Sequence, residues 1–342
     1  MQDTIHDRLL KRELGNRTRY SAIKGLYGHE NWVRNLDIVN ELDGHSGCVN
    51  ALSWSKSGTL LASGSDDTHI NIHTYQSTSD TNSFKLASTI STGHSANIFS
   101  VQFQPHSNDR TIISAAGDSE VRVFDVEYAN SARVAISEAS SARGQGFASR
   151  GIQYLSEADT NCRVYRSHSD RVKRIVTESS PYLFLTCSED GEVRQFDLRQ
   201  PSSAYPRPAG GGRWRQRDEP TGQVPPALIS YRGRLDLNTI SCSASQPHYI
   251  ALGGSHMHCF LHDRRMLGRD MLAERGGTPS SSGYSDHDEL MDQATQCVKR
   301  FAPHGIESKK AATGHITACK ISDANPNEMV RYECLETRNR IA

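Results

Sequence analysis

His168-Ser169-Asp170-Arg171-Val172-Lys173-Arg174-Ile175 opens a segment that runs on through Ser188-Glu189-Asp190-Gly191 and closes on Phe196-Asp197-Leu198-Arg199. A His, an Asp 22 residues later and an aromatic residue six beyond that bracket three short apolar stretches. The pattern has two earlier copies. His45, Asp67 and His73 keep the spacing of 22 and 6, and His94, Asp118 and Phe124 stand 24 and 6 apart. A fixed period of this kind means one supersecondary unit stacked several times over a shared core.

Within each copy the apolar residues alternate or run together as half-buried and buried strands do. The expected strands are 48–54, 59–65 and 69–75 in the first copy. They are 98–103, 111–116 and 120–126 in the second, and 172–176, 183–188 and 192–198 in the third. Turn signals such as Lys56-Ser57-Gly58 separate them. A further strand is expected before each His, for example 36–42 ahead of Gly44-His45. Four short antiparallel strands per unit behind a Gly-His opener is the pattern of a β-propeller blade. A fourth unit is degenerate. It offers strands at 249–255 and 257–263, with His256 at the Asp position and His262 at the aromatic position. A fifth begins at Gly314-His315 with a strand at 316–322, and the tail 331–340 shows no strand alternation. The expected fold is therefore all-β, a propeller of about four to five recognisable blades over residues 28–335.

Three stretches interrupt the period, at 127–161, 200–226 and 268–312. They are rich in Ser, Ala, Gly and Pro, and their composition points to loops that bury little apolar surface. Upstream, residues 1–15 read as a short helix that Thr4 can cap and Gly15 ends. Ile5 with Leu9, and Leu10 with Leu14, give it an apolar stripe.

The chain has 342 residues, 39 Lys and Arg against 39 Asp and Glu, and 36% hydrophobic residues. A zero net charge supplies no global field for nucleic acid, so no direct nucleic-acid contact is expected. No apolar run is long enough to span a bilayer, and the first residues lack the apolar core of a signal peptide. Eight Cys are scattered without a Cys-x-x-Cys pair. Cys48, Cys187 and Cys259 fall in expected strands, where free thiols behave as small apolar groups. That usage suits a reducing compartment, nuclear or cytoplasmic.

The repeats resemble those of WD-repeat propellers. The resemblance implies a buried network in each blade, joining His45 to Asp67 with Ser63 or Ser65, His94 to Asp118, and His168 to Asp190. A buried imidazole and carboxylate must satisfy one another. No copy keeps the Trp-Asp dipeptide, so weaker networks than the consensus are expected. In a family where seven blades are usual, the fifth unit's closing position would fall 28 residues past His315, at 343. The expectation is a propeller shortened from a seven-blade ring.

Two four-residue boxes stand out, Phe196-Asp197-Leu198-Arg199 and His262-Asp263-Arg264-Arg265. Each closes the third strand of a blade, and the blades are neighbours. Arg suits planar, bidentate contact with a partner's carboxylate, whereas the plain alternative is a solvated strand end. The boxes resemble those of substrate receptors of cullin-4 RING ubiquitin ligases. Over roughly residues 1–265 the chain is similar to the branch of that family with WD and tetratricopeptide repeats. The resemblance implies docking of Phe196, Asp197, Arg199, Asp263 and Arg265 on the adaptor, damage-specific DNA-binding protein 1. It implies the same partner for the N-terminal helix, with Ile5, Leu9 and Leu10 as anchors and Arg12 at the rim. Packing of that helix on the chain's own propeller is the alternative.

Other clusters carry less. His256, His258 and His262 share one strand face, yet a straight strand spreads the outer pair by roughly 20 Å, too far for one metal. Asp286-His287-Asp288-Glu289 reads as a solvated acidic patch. Arg171, Lys173 and Arg174 form a basic spot at a strand start, either a solvated edge or a contact for phosphate or an acidic peptide. There is no P-loop, no Gly-x-Ser-x-Gly and no nucleophile–base pair. The expected protein is a non-enzymatic adaptor without metal or cofactor that brings an unidentified protein to the ligase. The alternative is a general propeller scaffold in another intracellular complex.

Overall fold

The computed structural model describes residues 34–38, 40–75, 84–128, 152–205, 227–231, 235–243, 245–267, 297–301, 314–322 and 327–335. The chain divides into two units, Met1–Leu42 with Gln76–Phe84, and Asp43–Tyr75 with Lys85–Ala342. In the first, the described residues before Asp43 form no strand, and Leu36, Ile38 and Leu42 are exposed. The strand expected at 36–42 is thus not formed there. No described strand pairs with it, and an unpaired strand is not stable.

The second unit is a series of antiparallel sheets. Blade one is β1 (Val49–Trp54), β2 (Leu60–Ser65), β3 (His69–Tyr75) and β4 (Phe84–Ser91). Blade two starts with β5 (Ile98–Phe103), β6 (Thr111–Ala116) and β7 (Val121–Asp125). The chain then returns to blade one, where β8 (Gln153–Leu155) pairs parallel to β4, before β9 (Arg163–Tyr165) completes blade two. Blade three is β10 (Val172–Thr177), β11 (Leu183–Ser188), β12 (Glu192–Asp197) and β13 (Ile229–Ser230). Blade four is β14 (Leu237–Cys242), β15 (Tyr249–Gly254), β16 (His256–Asp263) and β17 (Cys297–Phe301). A fifth, two-stranded blade is β18 (Gly314–Ile321) with β19 (Met329–Leu335).

Consecutive blades pack first strand to first strand, β1 on β5, β5 on β10, β10 on β14 and β14 on β18. One apolar cluster sits at each seam. Ile72, Ile98, Val101 and Phe103 fill the first, and Tyr165, Phe184, Phe196 and Tyr205 the second. Leu185, Leu237, Ile250 and Phe260 fill the third, and Ala251, Cys259, Ile316 and Ile321 the fourth. Burying a side chain of this size contributes about 1.5–3 kcal/mol, so the seams dominate stability. Small residues in the second strands allow the close approach: a Cβ on Gly64 would stand 2.6 Å from Val101 Cγ2, and one on Gly253 2.6 Å from Ile316 Cγ2. Blade one also presents a more open face. Leu52 and Trp54 are 63% and 55% exposed, whereas Val101 and Phe103, at the same steps of β5, are 1% and 7% exposed.

Every first strand carries a β-bulge at the same step. Asn50, Phe99, Lys173, Asn238 and Thr317 are each skipped in the register with the second strand. A bulge adds a residue that pairs with nothing across the ladder and re-aims its side chain.

The interruptions are shorter than their composition suggests. β8 and the turn after it lie within 127–161, a 3₁₀ turn at Ser202–Ala204 lies within 200–226, and β17 lies within 268–312. Each short strand finds a ready sheet edge, so pairing orders it despite weak local signals. The tail also departs from expectation, because β19 pairs with β18 from Met329 to Leu335. Cys48 precedes β1 and is exposed, whereas Cys187, Cys242, Cys259 and Cys319 are buried, free thiols. Residues 1–33, with the expected helix and its Ile5, Leu9, Leu10 and Arg12, lie outside the described residues, as does the 286–289 acidic run.

Candidate partner-docking site

Three blades build the same buried triad. His45 Nδ1 lies 2.9 Å from Asp67 Oδ2, and its Nε2 lies 2.9 Å from Ser63 Oγ. His94 stands 2.9 Å from Asp118 and 2.7 Å from Ser114, and His168 stands 2.9 Å from Asp190 and 2.7 Å from Thr186. Each Asp also accepts backbone N–H groups from both sides of the turn. For Asp190 the donors are Ser169 and Glu192. Burial alone would raise these three carboxyls, but the hydrogen bonds outweigh it and hold Asp67, Asp118 and Asp190 below the usual range. Where the sequence left Ser63 and Ser65 open, the geometry selects Ser63. The triads persist without a Trp: His73, Phe124 and Phe196 fill that place as buried side chains.

Blade four replaces the triad. Leu252 stands at the Ser or Thr step, and buried His262 places Nε2 2.7 Å from Tyr231 Oη instead. His256 and His258 face each other with their Nδ1 atoms 3.1 Å apart. The structure therefore splits the His-rich stretch into two separate pairings rather than gathering it around one point. His94, Asp118 and Glu120 do converge, with ligand atoms within 4.8 Å of one another. Their lone pairs are engaged: His94 serves the triad, and Glu120 holds Arg122 and Arg166 at 2.8 and 2.6 Å. This cluster reads as blade architecture.

The two boxes have one geometry. Arg199 Nε donates to Asp197 Oδ1 at 2.9 Å and its Nη2 to Oδ2 at 2.6 Å. Arg265 Nε donates to Asp263 Oδ1 at 3.0 Å and its Nη2 to Oδ2 at 2.6 Å. Both guanidinium side chains are 64% exposed. Hydrogen bonds from the paired Arg are the leading reason that Asp197 and Asp263 lie below the usual carboxylate range. The fork arises locally. Each Asp ends a third strand, and its carboxylate also accepts the Arg backbone N–H two residues on, which turns the chain back on itself. Tyr182 lies under Arg199, with the guanidinium 5.3 Å from the ring centroid. Fork formation uses only part of the five N–H groups of a guanidinium and leaves donors for a partner. Phe196 is buried in the second seam, so it supports the box from below and is not itself on the surface.

Sequence reasoning passed over two features here. Arg264, the middle residue of its box, points back into the seam and binds Glu178 and Gln195 of blade three. In blade two Asp125 also ends a third strand, but its bidentate partner is Arg110, from the loop before β6, and Glu127 occupies the box Arg position. The box proper therefore belongs to blades three and four. Among the described residues no helix is long and apolar enough to cross a membrane.

The family model for the WD domain, G-beta repeat, matches residues 37–74, 85–125 and 159–197, the stretches that supply blades one to three. The fold is that of a WD-repeat β-propeller. The chain is 36% identical over 309 residues to WD repeat protein iqw1 of Schizosaccharomyces pombe, which covers 90% of this chain and 32% of that protein. It is 31% identical over 261 residues to human WD and tetratricopeptide repeats protein 1, covering 76% of this chain and 31% of that one. It is 27% identical over 324 residues to human DDB1- and CUL4-associated factor 6, covering 94% and 30%. The chain thus spans about a third of the length of the relatives it matches.

Proposed function

We propose that this WD-repeat propeller is a non-enzymatic substrate receptor of a cullin-4 RING ubiquitin ligase. It docks on the adaptor damage-specific DNA-binding protein 1 through Asp197–Arg199 and Asp263–Arg265, joined by the segment 1–15, which lies outside the described residues. The observation that carries the reading is the matched pair of Asp–Arg forks, equivalent in position and geometry in adjacent blades and exposed to solvent. The name of one relative, DDB1- and CUL4-associated factor 6, supports it. The receptor works by proximity: holding a target lysine near a loaded ubiquitin-conjugating enzyme raises its effective concentration. The nucleus or the cytoplasm is the proposed compartment.

Co-purification tests it. The wild-type chain should retain the adaptor from a cell extract, and the Arg199→Ala, Arg265→Ala double variant should lose most of it. Equal retention by the two would overturn the docking assignment. A second reading, a scaffold in another complex, is favoured by one observation: each Arg already holds its own Asp in a bidentate fork. It requires that the adaptor be missing from the wild-type pull-down.

A further inference from the structure

The fourth seam places sulfur where the other three place hydrocarbon. The repeat makes three steps equivalent from seam to seam. One is on the third strand of a blade, just before the residue that faces the Ser, Thr or Leu252 step. The second is on the next blade's first strand, two residues past its bulge, and the third is on that blade's second strand, two residues before the partner of the second. In the first seam these steps hold Ile70, Val101 and Ile112, and in the second Val121, Ile175 and Phe184. The third seam has Val193, Ile240 and Ile250. The fourth has Cys259, Cys319 and Met329. Cys is smaller than the Val or Ile of the other seams, so close packing gives no reason for the exchange.

The three sulfurs converge. Cys259 Sγ lies 3.7 Å from Met329 Sδ. Hydrogen bonding between the Cys259 and Cys319 sulfurs holds the Cys319 thiol below its ordinary range and the Cys259 thiol above it. The backbone fixes the arrangement as it does elsewhere: Cys319 N donates to Thr239 Oγ1 at 3.1 Å, and Ile175 N donates to Ser100 Oγ at 3.1 Å in the second seam. A metal–thiolate bond is about 2.3 Å, so three sulfurs around one ion stand roughly 4 Å apart. Cys259 and Met329 already have that spacing. Both thiols are buried, whereas Met329 is half-buried and gives the group its side toward solvent.

We infer that Cys259, Cys319 and Met329 form a binding site for one soft monovalent metal ion, Cu(I), held by two thiolates and a thioether. Thiolate and thioether donors select Cu(I) among the common metals. A structural zinc site needs four ligands, and among the described residues no third Cys, His, Asp or Glu gathers with this pair. On binding, two S–H bonds break and two copper–sulfur bonds form. Both protons pass to water, Met329 adds a lone pair, and copper stays in its +1 state. The product carries one negative charge, and cations stand ready for it: Arg331 acts on Cys259, and Arg174 and Lys320 act on Cys319. The ion would fasten blade five to blade four. No Cys-x-x-Cys spacing announces the site, because its donors come from β16, β18 and β19 of two blades.

Titration of the full, reduced chain with the coloured Cu(I)–bicinchoninate complex, in ascorbate and without oxygen, tests this. The wild-type chain should withdraw one Cu(I) and bleach the complex in proportion. Cys259→Val, Cys319→Ile installs the side chains of the second and third seams, so the fold is kept, and that equivalent should be lost. Cys48→Ser, at an exposed thiol, should retain it. Met329→Leu should weaken binding at least about tenfold and serves as a second variant if the double change does not fold. One equivalent of Cu(I) should also raise the melting temperature of the wild type and leave that of the double variant in place, because a ligand of the folded state alone stabilises it. A wild-type chain that leaves the complex coloured would overturn the inference. So would a double variant that takes the same equivalent with the same affinity, or Zn(II) raising the wild-type melt as far as Cu(I).

Discussion

Arg264 of blade four reaches across the seam to Glu178 of blade three, with Nη1 2.8 Å from Glu178 Oε2 and Nη2 donating to Gln195 Oε1 at 2.6 Å. Glu178 directly follows the inner strand β10, and its side chain is only 9% exposed. The contact ties the second box to the neighbouring blade and so sets where Arg265 stands relative to the first. Arg264→Ala strands a buried carboxylate, and a loss of about 1–3 kcal/mol in a denaturant melt is expected. Glu178→Gln should lose less, because a neutral amide still accepts from the guanidinium. If the two variants cost the same, the charge at Glu178 is not what the seam depends on.

The box arginines contrast with their neighbour. Arg199 and Arg265 are solvent-exposed, and exposed ion pairs contribute little to folding. Replacing both with Ala should leave the thermal melt in place while adaptor retention falls. A melt that drops with the double variant would mark the forks as structural caps instead.

Acid should weaken the blades through the triads. Asp67, Asp118 and Asp190 are held below the ordinary carboxyl value of about 3.9 in the folded chain. A depressed folded value adds stability that is fully present above the unfolded value and is lost as pH falls through the folded one. Melting temperature should therefore decline as pH drops from about 5 toward 3. Asp190→Asn should be less stable than wild type at neutral pH and should show a shallower acid decline, read by calorimetry across that range.

The close seams should resist added bulk. Gly253→Val forces a side chain onto Ile316, whose Cγ2 already lies 2.6 Å from the ideal Cβ position. A loss of about 1–3 kcal/mol is expected. The compensating Gly253→Val, Ile316→Ala pair should recover part of it. Were the pair no better than the single change, the clash would not be the cause.

Much of this was legible because it obeys spacing. The His–Asp–Ser triad closes over a fixed number of residues, so its period survives in the sequence, and the nine core strands of blades one to three follow from it to within about two residues. The Asp–x–Arg boxes were legible for the same local reason, since both partners lie within three residues. What the sequence concealed depends on partners far away. β14 alternates plainly through Leu237, Thr239 and Ser241, yet it has no His opener to flag it, and Tyr231 with His262 replaces a triad by a pairing 31 residues long. β19 hid because Arg331 takes the inward place, where Nη1 donates to Phe301 O at 2.7 Å, while Val330 and Tyr332 face outward. The reverse error occurred at 36–42, where alternation promised a strand that the described residues do not form.

The bulges separate two kinds of information in one strand. Val172 and Ile175 of β10 are bound by seam packing, but Lys173 between them pairs with no residue of β11. Asn50, Phe99, Asn238 and Thr317 hold the same privilege in their own blades. Two of the five also tie blades together, since Asn50 and Asn238 donate across the seams to Ile98 O and Ile316 O. A residue left out of its own ladder is thus available to hold the neighbouring sheet, so the contact between blades is made by side chains that pairing within a blade leaves unclaimed.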